Sequence, residues 1–260
     1  MTTHIELVMD GPVARVILRG EKGIQILSAE TRRQLLTVVD HVSRTNCSVA
    51  VFAAEGRTFI AGASIDELRT LDEVRALHDS RAGQKLMNAI EALPQTTIAA
   101  IHAACAGGGT ELALACDLRF AADSAKIGLP ETSIGVLPGW GGTVRATQLL
   151  GAAVARRLIL TGELLAADEA LRIGLVDAVF PSEQFGDEVE ARVAQVLTRA
   201  PHARRRVKHL LQQLAADGIN VAAQLDAEAR AFAECYRNGE PLEGMSAFLE
   251  KRPAKWPEPG

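Results

Sequence analysis

The sequence predicts an α/β fold whose last third is almost entirely helical. Short apolar strands alternate with helical patterns as far as about residue 180, which favours α/β over α+β. From Glu183 onward the helical period dominates. Of the 260 residues 48% are apolar and 23% charged, enough to bury one large core.

The elements follow in order. Met1 to Leu18 alternates like a strand, with Asp10-Gly11-Pro12 as a turn and Ala14 to Leu18 as the strand after it. Ser28 is placed to cap a helix over Ala29 to Ser43, where Leu35, Leu36, Val38, Val39 and Val42 recur at helical spacing. Val49 to Ala54 is a continuous apolar run, the pattern of a strand covered on both faces. Arg57 to Ala63 reads as a small-residue loop, and a polar amphipathic helix from Leu71 to Leu93 stops at Pro94. Thr97 to His102 is a second buried strand, followed by a glycine cluster and an apolar helix over Thr110 to Cys116.

Leu118 to Ala122 is a third strand, and Lys126 to Gly142 reads as a loop. Helices are expected near Thr143 to Leu150 and through the alanine-rich stretch Ala152 to Gly174, then a short strand over Val176 to Val179. Asp187 to Ala200, Ala203 to Asp217 and Val221 to Tyr236 complete the helical part. Gly239 to Pro241 breaks it before a last short helix and a proline-rich terminus. No low-complexity linker and no internal repeat is visible.

A net charge of −4 argues against a nucleic-acid partner, and 4% aromatic residues leave little for base stacking. The four cysteines, Cys47, Cys105, Cys116 and Cys235, form no CxxC pair and no metal-like spacing with histidine. Cys105 and Cys116 sit in apolar stretches and read as buried, reduced thiols. The first residues lack the basic start and apolar centre of a signal peptide, and no apolar run approaches the roughly 18 residues needed to span a bilayer. The expectation is a cytoplasmic protein with no membrane partner.

Three segments point to chemistry. Ala106-Gly107-Gly108-Gly109-Thr110-Glu111 joins a buried strand to an apolar helix. Its glycines admit a ligand close to the backbone, and free N–H groups at a helix start favour negative charge. Glu111, in the first turn, is expected to be partly buried; alone, the segment fits a tight turn with a helix-start carboxylate equally well. Glu131 follows Pro130 among Gly128, Leu129, Ile134, Gly135 and Val136. Such surroundings raise a carboxyl pKa and suit it to move a proton near neutrality, although a surface-loop glutamate would read the same way. Phe59 to Glu67 places small residues between a strand and a helix, where one more N–H could be exposed. The plainer reading of that stretch makes Ser64 an N-cap, with Glu67 completing a capping box.

Taken together, these segments resemble the crotonase family of enoyl-CoA hydratases and isomerases. Phe59 to Glu67 looks like its first oxyanion loop, Ile101 to Asp117 like its glycine-rich second loop, and Lys126 to Thr143, with Pro138-Gly139-Trp140-Gly141-Gly142-Thr143, like the segment of its second glutamate. Thr161-Gly162, Ala170, Gly174-Leu175-Val176 and the run from Gly244 to Arg252 extend the likeness almost to the end of the chain.

The resemblance implies a ββα spiral core over 1–197, a helical C-terminal oligomerisation region over 198–260, and a homotrimer or hexamer. It implies that the N–H groups of Ala63 and Gly108 form an oxyanion hole for a thioester carbonyl. Glu111 would activate water and Glu131 would deliver a proton. Glutamate at both positions favours hydration over isomerisation. Gly139 would leave room for substrate, while Ser64, Ile65 and Asp66, with Phe248 and Lys251 from the C-terminal part, would lie along CoA. No cofactor is implied, CoA being part of the acyl-CoA substrate. The sequence departs from the usual pattern at Gln25, Ser64, Asp66 and His102-Ala103. His102 reads as a packed histidine, and Arg204-Arg205-Arg206-Lys208 as a solvent-facing helix surface.

Overall fold

A computed structural model describes residues 2–216, 221–237 and 239–256. Met1, Asp217 and the proline-rich residues 257–260, on which parts of the sequence reading fall, lie outside that set. β1 (Thr3–Asp10) and β2 (Val13–Gly20) form an antiparallel hairpin, turned at Gly11 with φ 53°.

A unit of strand, strand and helix then recurs four times. The first turn is β2, β3 (Ile26–Leu27) and α1 (Ala29–Ser43). The second is β4 (Val49–Glu55), β5 (Thr58–Ile60) with β6 (Gly62–Ala63), and the helices α2 (Ile65–Leu68) and α3 (Glu73–Glu91). The third is β7 (Thr96–Ile101), β8 (Ala104–Ala106) and α4 (Gly108–Ala115). The fourth is β9 (Leu118–Ala122), β10 (Lys126–Gly128) and α5 (Gly142–Thr161). β11 (Leu164–Ala166), α6 (Ala167–Arg172) and β12 (Ala178–Phe180) close the core. The first strand of each turn joins a six-stranded sheet, β1-β2-β4-β7-β9-β12, parallel except at the hairpin. The second strands form a four-stranded sheet, β11-β10-β8-β5, and a two-stranded one, β3-β6.

Both faces of the large sheet are covered, as continuous apolar strands require. Alternation along each strand sends Val16, Leu18, Phe52 and Ile101 into one core with Leu35, Leu86 and Leu112 from the helices. It sends Val49, Val51, Ile98 and Phe120 to the other face, against Phe185, Val189 and Val193 of α7 (Phe185–Leu197). Ser28 caps α1, its hydroxyl accepting from the Thr31 N–H.

Several expectations change. Leu164–Ala166, read as helix, is a strand because it pairs antiparallel with β10, which itself lies in the expected loop. Tertiary pairing overrides the helical preference of leucine and alanine there. The helix near Thr143 runs to Thr161, broken only at Gly151 with φ 76°. The repeat, invisible in the sequence, rests on second strands of two or three residues, too short to show a period.

α8 (Pro201–Ala216), α9 (Val221–Cys235) and α10 (Glu240–Leu249) form the C-terminal part. The basic run is not a solvated face. Arg204 donates to the Ser48 carbonyl and Thr96 Oγ1, and Lys208 to the Gln95 carbonyl and Asp117 Oδ2; of the four residues only Arg206 is exposed. The carbonyls of Ser48 and Gln95 immediately precede β4 and β7, and buried backbone acceptors at strand ends need donors. Glu240, 2% exposed, accepts from the first N–H groups of α8, those of His202 and Ala203. Cys47, Cys105 and Cys116 are buried free thiols, and burial pushes Cys105 and Cys116 up to about 12. Among the described residues no helix is long and apolar enough to cross a membrane.

Candidate active site

The site forms where the loop before α4 meets the loops before α2 and α5. Gly107 adopts φ 54°, ψ −122°, a conformation suited to glycine. A Cβ at Gly109 would lie 2.4 Å from the Ile60 carbonyl oxygen, so glycine lets α4 start hard against β5. Thr110 Oγ1 donates to the carbonyls of Cys105 and Gly128, and the Gly107 N–H also reaches Gly128. These bonds fix the start of α4.

Glu111 therefore occupies the first turn of a buried helix, 2% exposed. Its Oε1 accepts from the N–H of Trp140 at 2.7 Å and of Gly142 at 2.8 Å. Burial pushes its pKa up to about 7 against the pull of those two N–H groups and of the Arg145 charge. Gly142 has to be glycine, because a Cβ there would sit 2.9 Å from Glu111 Oε1.

Glu131 opens a 3-10 turn, Glu131–Ile134, that ends on Gly135 at φ 81°. Both of its carboxyl oxygens are buried without a hydrogen-bond partner among the described residues. Burial, and then the charge of Glu111, push its pKa up to about 7. Two acids at this pH sharing a dry site favour one proton between them.

Gly62 (φ 118°) lies in β6, which brings Ala63 onto the start of α4. A Cβ on Gly62 would stand 3.7 Å from the Gly108 nitrogen. The Gly108 N–H is the first of its helix and has no intrahelical acceptor, which suits it to a negative oxygen.

One cavity of about 760 Å³ brings together Ala63, Ile65, Gly108, Glu111, Glu131 and Gly139. Ser64 and Asp66 flank it without lining it. Ser64 caps α2, accepting from the Glu67 N–H at 3.4 Å, and Asp66 is exposed in its first turn. The capping box does not close, because the Glu67 carboxylate accepts instead from the Ala29 N–H at the start of α1. Phe248, 83% exposed on α10, and Lys251 lie outside the cavity. His102 Nε2 meets the Gly56 carbonyl at 3.1 Å, a packed position as expected. Gln25 is wholly buried, bonded through its side chain to Thr58 and to the Leu18 and Glu55 carbonyls.

Sequence reasoning gave no role to Trp140 itself, to Asp79, or to Arg32, which meet beside Glu111. It also missed the apolar lining that Leu68, Leu71, Ala76, Ile134, Val136 and Leu137 give the same cavity. The signal available was on α3, where Ala76, Asp79 and Ser80 share a helical face within a stretch read as a polar amphipathic helix with no role at the site. Chemically, the cavity offers a helix-start N–H that suits an anionic oxygen and two carboxyls able to exchange protons near neutrality.

A family model described as enoyl-CoA hydratase/isomerase matches residues 10–259. The chain is 32% identical over 251 residues to a short-chain-enoyl-CoA hydratase of Clostridium acetobutylicum, covering 96% of this chain and 95% of that one. It is 35% identical over 258 residues to a crotonyl-CoA hydratase of Syntrophomonas wolfei, covering 97% of each. Its structure is similar to that of an enoyl-CoA hydratase from Bacillus anthracis, with a TM-score of 0.91 and 32% identity over 97% of this chain and 98% of that one.

Proposed function

The chain belongs to the enoyl-CoA hydratase/isomerase family, and on that premise we propose that it catalyses reversible syn addition of water to a trans-2-enoyl-CoA, giving a 3-hydroxyacyl-CoA. The observation that carries this reading is the pairing in one cavity of an anchored carboxylate, Glu111, with an unpartnered carboxyl, Glu131.

The thioester oxygen sits between the N–H groups of Ala63 and Gly108. Ionised Glu111 takes a proton from a water whose oxygen bonds to the β-carbon. Protonated Glu131 gives its proton to the α-carbon, and the π electrons of the alkene pass through an enolate whose oxygen the two amides stabilise. Removing one such donor costs about 10²–10³-fold in kcat in other enzymes. Dehydration runs the same steps backwards. The reaction balances with water alone and calls on no metal or redox group; CoA enters with the substrate.

The apolar lining, with Leu137 63% and Ile134 53% exposed, suits an acyl and pantetheine chain. Ser64, Ile65 and Asp66 lie along CoA in this reading. Phe248 and Lys251 reach CoA from a neighbouring subunit of a trimer or a dimer of trimers, which sedimentation tests. The buried free thiols support a reducing, cytoplasmic setting. The functional test mixes the purified protein with a panel of enoyl-CoA esters and follows loss of the conjugated-thioester absorbance. Hydration adds the mass of one water to the product; isomerised product of unchanged mass would refute it.

A further inference from the structure

The indole of Trp140 joins the two halves of the site. Trp140 is 5% exposed and lines the cavity. A Cβ at Gly108 would lie 2.3 Å from its six-membered ring, and a Cβ at Gly83, on α3, 2.2 Å from Cγ and Cδ1. Both helices therefore approach the ring as closely as they do only because glycine stands at those positions. The Arg32 guanidinium lies 4.3 Å from the ring centroid, and the indole Nε1–H donates to Asp79 Oδ2 at 3.3 Å. Arg32 and Asp79 are themselves paired across α1 and α3, with Arg32 buried. The main-chain N–H of the same tryptophan holds Glu111 Oε1.

We propose that Trp140 is a positioning residue: its ring, clamped by the Arg32–Asp79 pair between Gly83 and Gly108, fixes the Glu111 carboxylate relative to the Gly108 amide. This rests on the hydratase reading for the roles of Glu111 and Gly108. The physical basis is geometric. A carboxylate that must present water to a carbon while an amide holds an oxygen of the same substrate needs both placed to well under an ångström, and main-chain N–H groups move only with their own residue. Rigid packing of the indole against the glycine of the proposed oxyanion hole supplies that link, and Asp79 sets the ring's rotation through Nε1. Trp140 touches no reacting atom in this account.

Gly83 provides the test, because it contacts no proposed catalytic group. The Gly83→Ala variant is expected to fold, alanine being the better helix former, and to displace the indole. Its kcat on crotonyl-CoA falls about 10²-fold, as expected for an ångström-scale misplacement, while KM stays within about twofold. In a Trp140→Ala background the same change costs less than about twofold more, because the ring that it displaces is gone. Asp79→Asn, which keeps an acceptor for Nε1–H, retains more activity than Asp79→Ala.

Carbon-13 NMR of the Glu111 carboxyl supplies a readout independent of turnover. Weakening the Trp140 N–H bond to the ionised form raises its titration midpoint in Gly83→Ala, with no further rise when Trp140→Ala is added. Equal losses of kcat from Gly83→Ala in both backgrounds, or an unmoved Glu111 titration, would overturn the positioning role. A protein that hydrates no enoyl-CoA ends the functional reading instead, and the Glu111 titration then decides the positioning claim alone.

Discussion

Glu111 and Glu131 line one cavity, and hydrogen bonding divides them: Glu111 holds two main-chain N–H groups, whereas neither oxygen of Glu131 has a partner among the described residues. An acceptor bonded twice favours its ionised form, and a carboxyl left dry favours its neutral one. In the proposed mechanism this makes Glu111 the resting base and Glu131 the resting acid.

Replacing either carboxyl by an amide removes proton transfer with little change in shape. Glu111→Gln and Glu131→Gln are each expected to lose about 10²–10⁴-fold in kcat on crotonyl-CoA while keeping their affinity for CoA. Steady-state kinetics and calorimetric titration with CoA check this. Full turnover in both variants would remove the two glutamates from the mechanism.

Stability should carry the mark of Glu131. Its folded pKa of about 7 lies above the ordinary carboxyl value, so the folded chain binds more protons than the unfolded chain between about pH 4.5 and 7. Stability contributed by the protonated carboxyl is present below that window and lost as pH rises through it. Glu131→Gln is expected to be more stable than the parent above pH 7, by on the order of 2 kcal/mol, with the advantage gone by about pH 4.5. Urea unfolding across this range measures it, and a constant difference at all pH values would contradict the assignment.

Two glycines of the site separate folding from substrate space. A Cβ at Gly108 would strike the Trp140 ring, whereas one at Gly139 would meet Ser80 Oγ at 3.5 Å, an ordinary contact. Gly108→Ala is therefore expected to lower the melting temperature by several degrees, in the range of overpacked cores. Gly139→Ala should melt like the parent yet raise KM for enoyl-CoA esters, because its methyl group enters the cavity beside Ser80. Thermal melts and kinetics on both variants distinguish the two effects.

The recurring charge network under the C-terminal helices supports one more expectation. Lys208→Met leaves the Gln95 carbonyl and Asp117 without their ammonium partner at a position whose side chain is 10% exposed. A loss of on the order of 1–3 kcal/mol in unfolding free energy is expected, the cost of unsatisfied buried groups. A neutral outcome would mean that the Lys208 contacts contribute nothing to holding α8 on the core.

Much of the molecule was readable in the order of its residues, and the parts that were not share a cause. Ser28 and the periodic leucines and valines of α1 fix that helix to the residue, because capping and a single apolar face are local properties. Val49 to Ala54 declares itself as a covered strand by unbroken apolar character, and Leu118 to Ala122 reads as a strand despite Arg119. β8, β10 and β11 do not, since three residues have no period and only partners elsewhere make them strands. At the site, the glycine cluster and the residues around Glu131 signal chemistry locally. The Arg32–Asp79–Trp140 contact draws on three separate stretches, and no spacing reveals it. Arg204 and Lys208 look like a solvated charge run until the strand-end carbonyls that they satisfy are in view.

The central claim is that two acidic groups act from one side of the substrate, across from two amide donors. Hydration of crotonyl-CoA in heavy water measures it most directly, read by proton NMR of the 3-hydroxybutyryl product. The account predicts a single deuterium at the α-carbon, on the same face as the new hydroxyl. Deuterium on the opposite face, or an even mixture of the two, would contradict it.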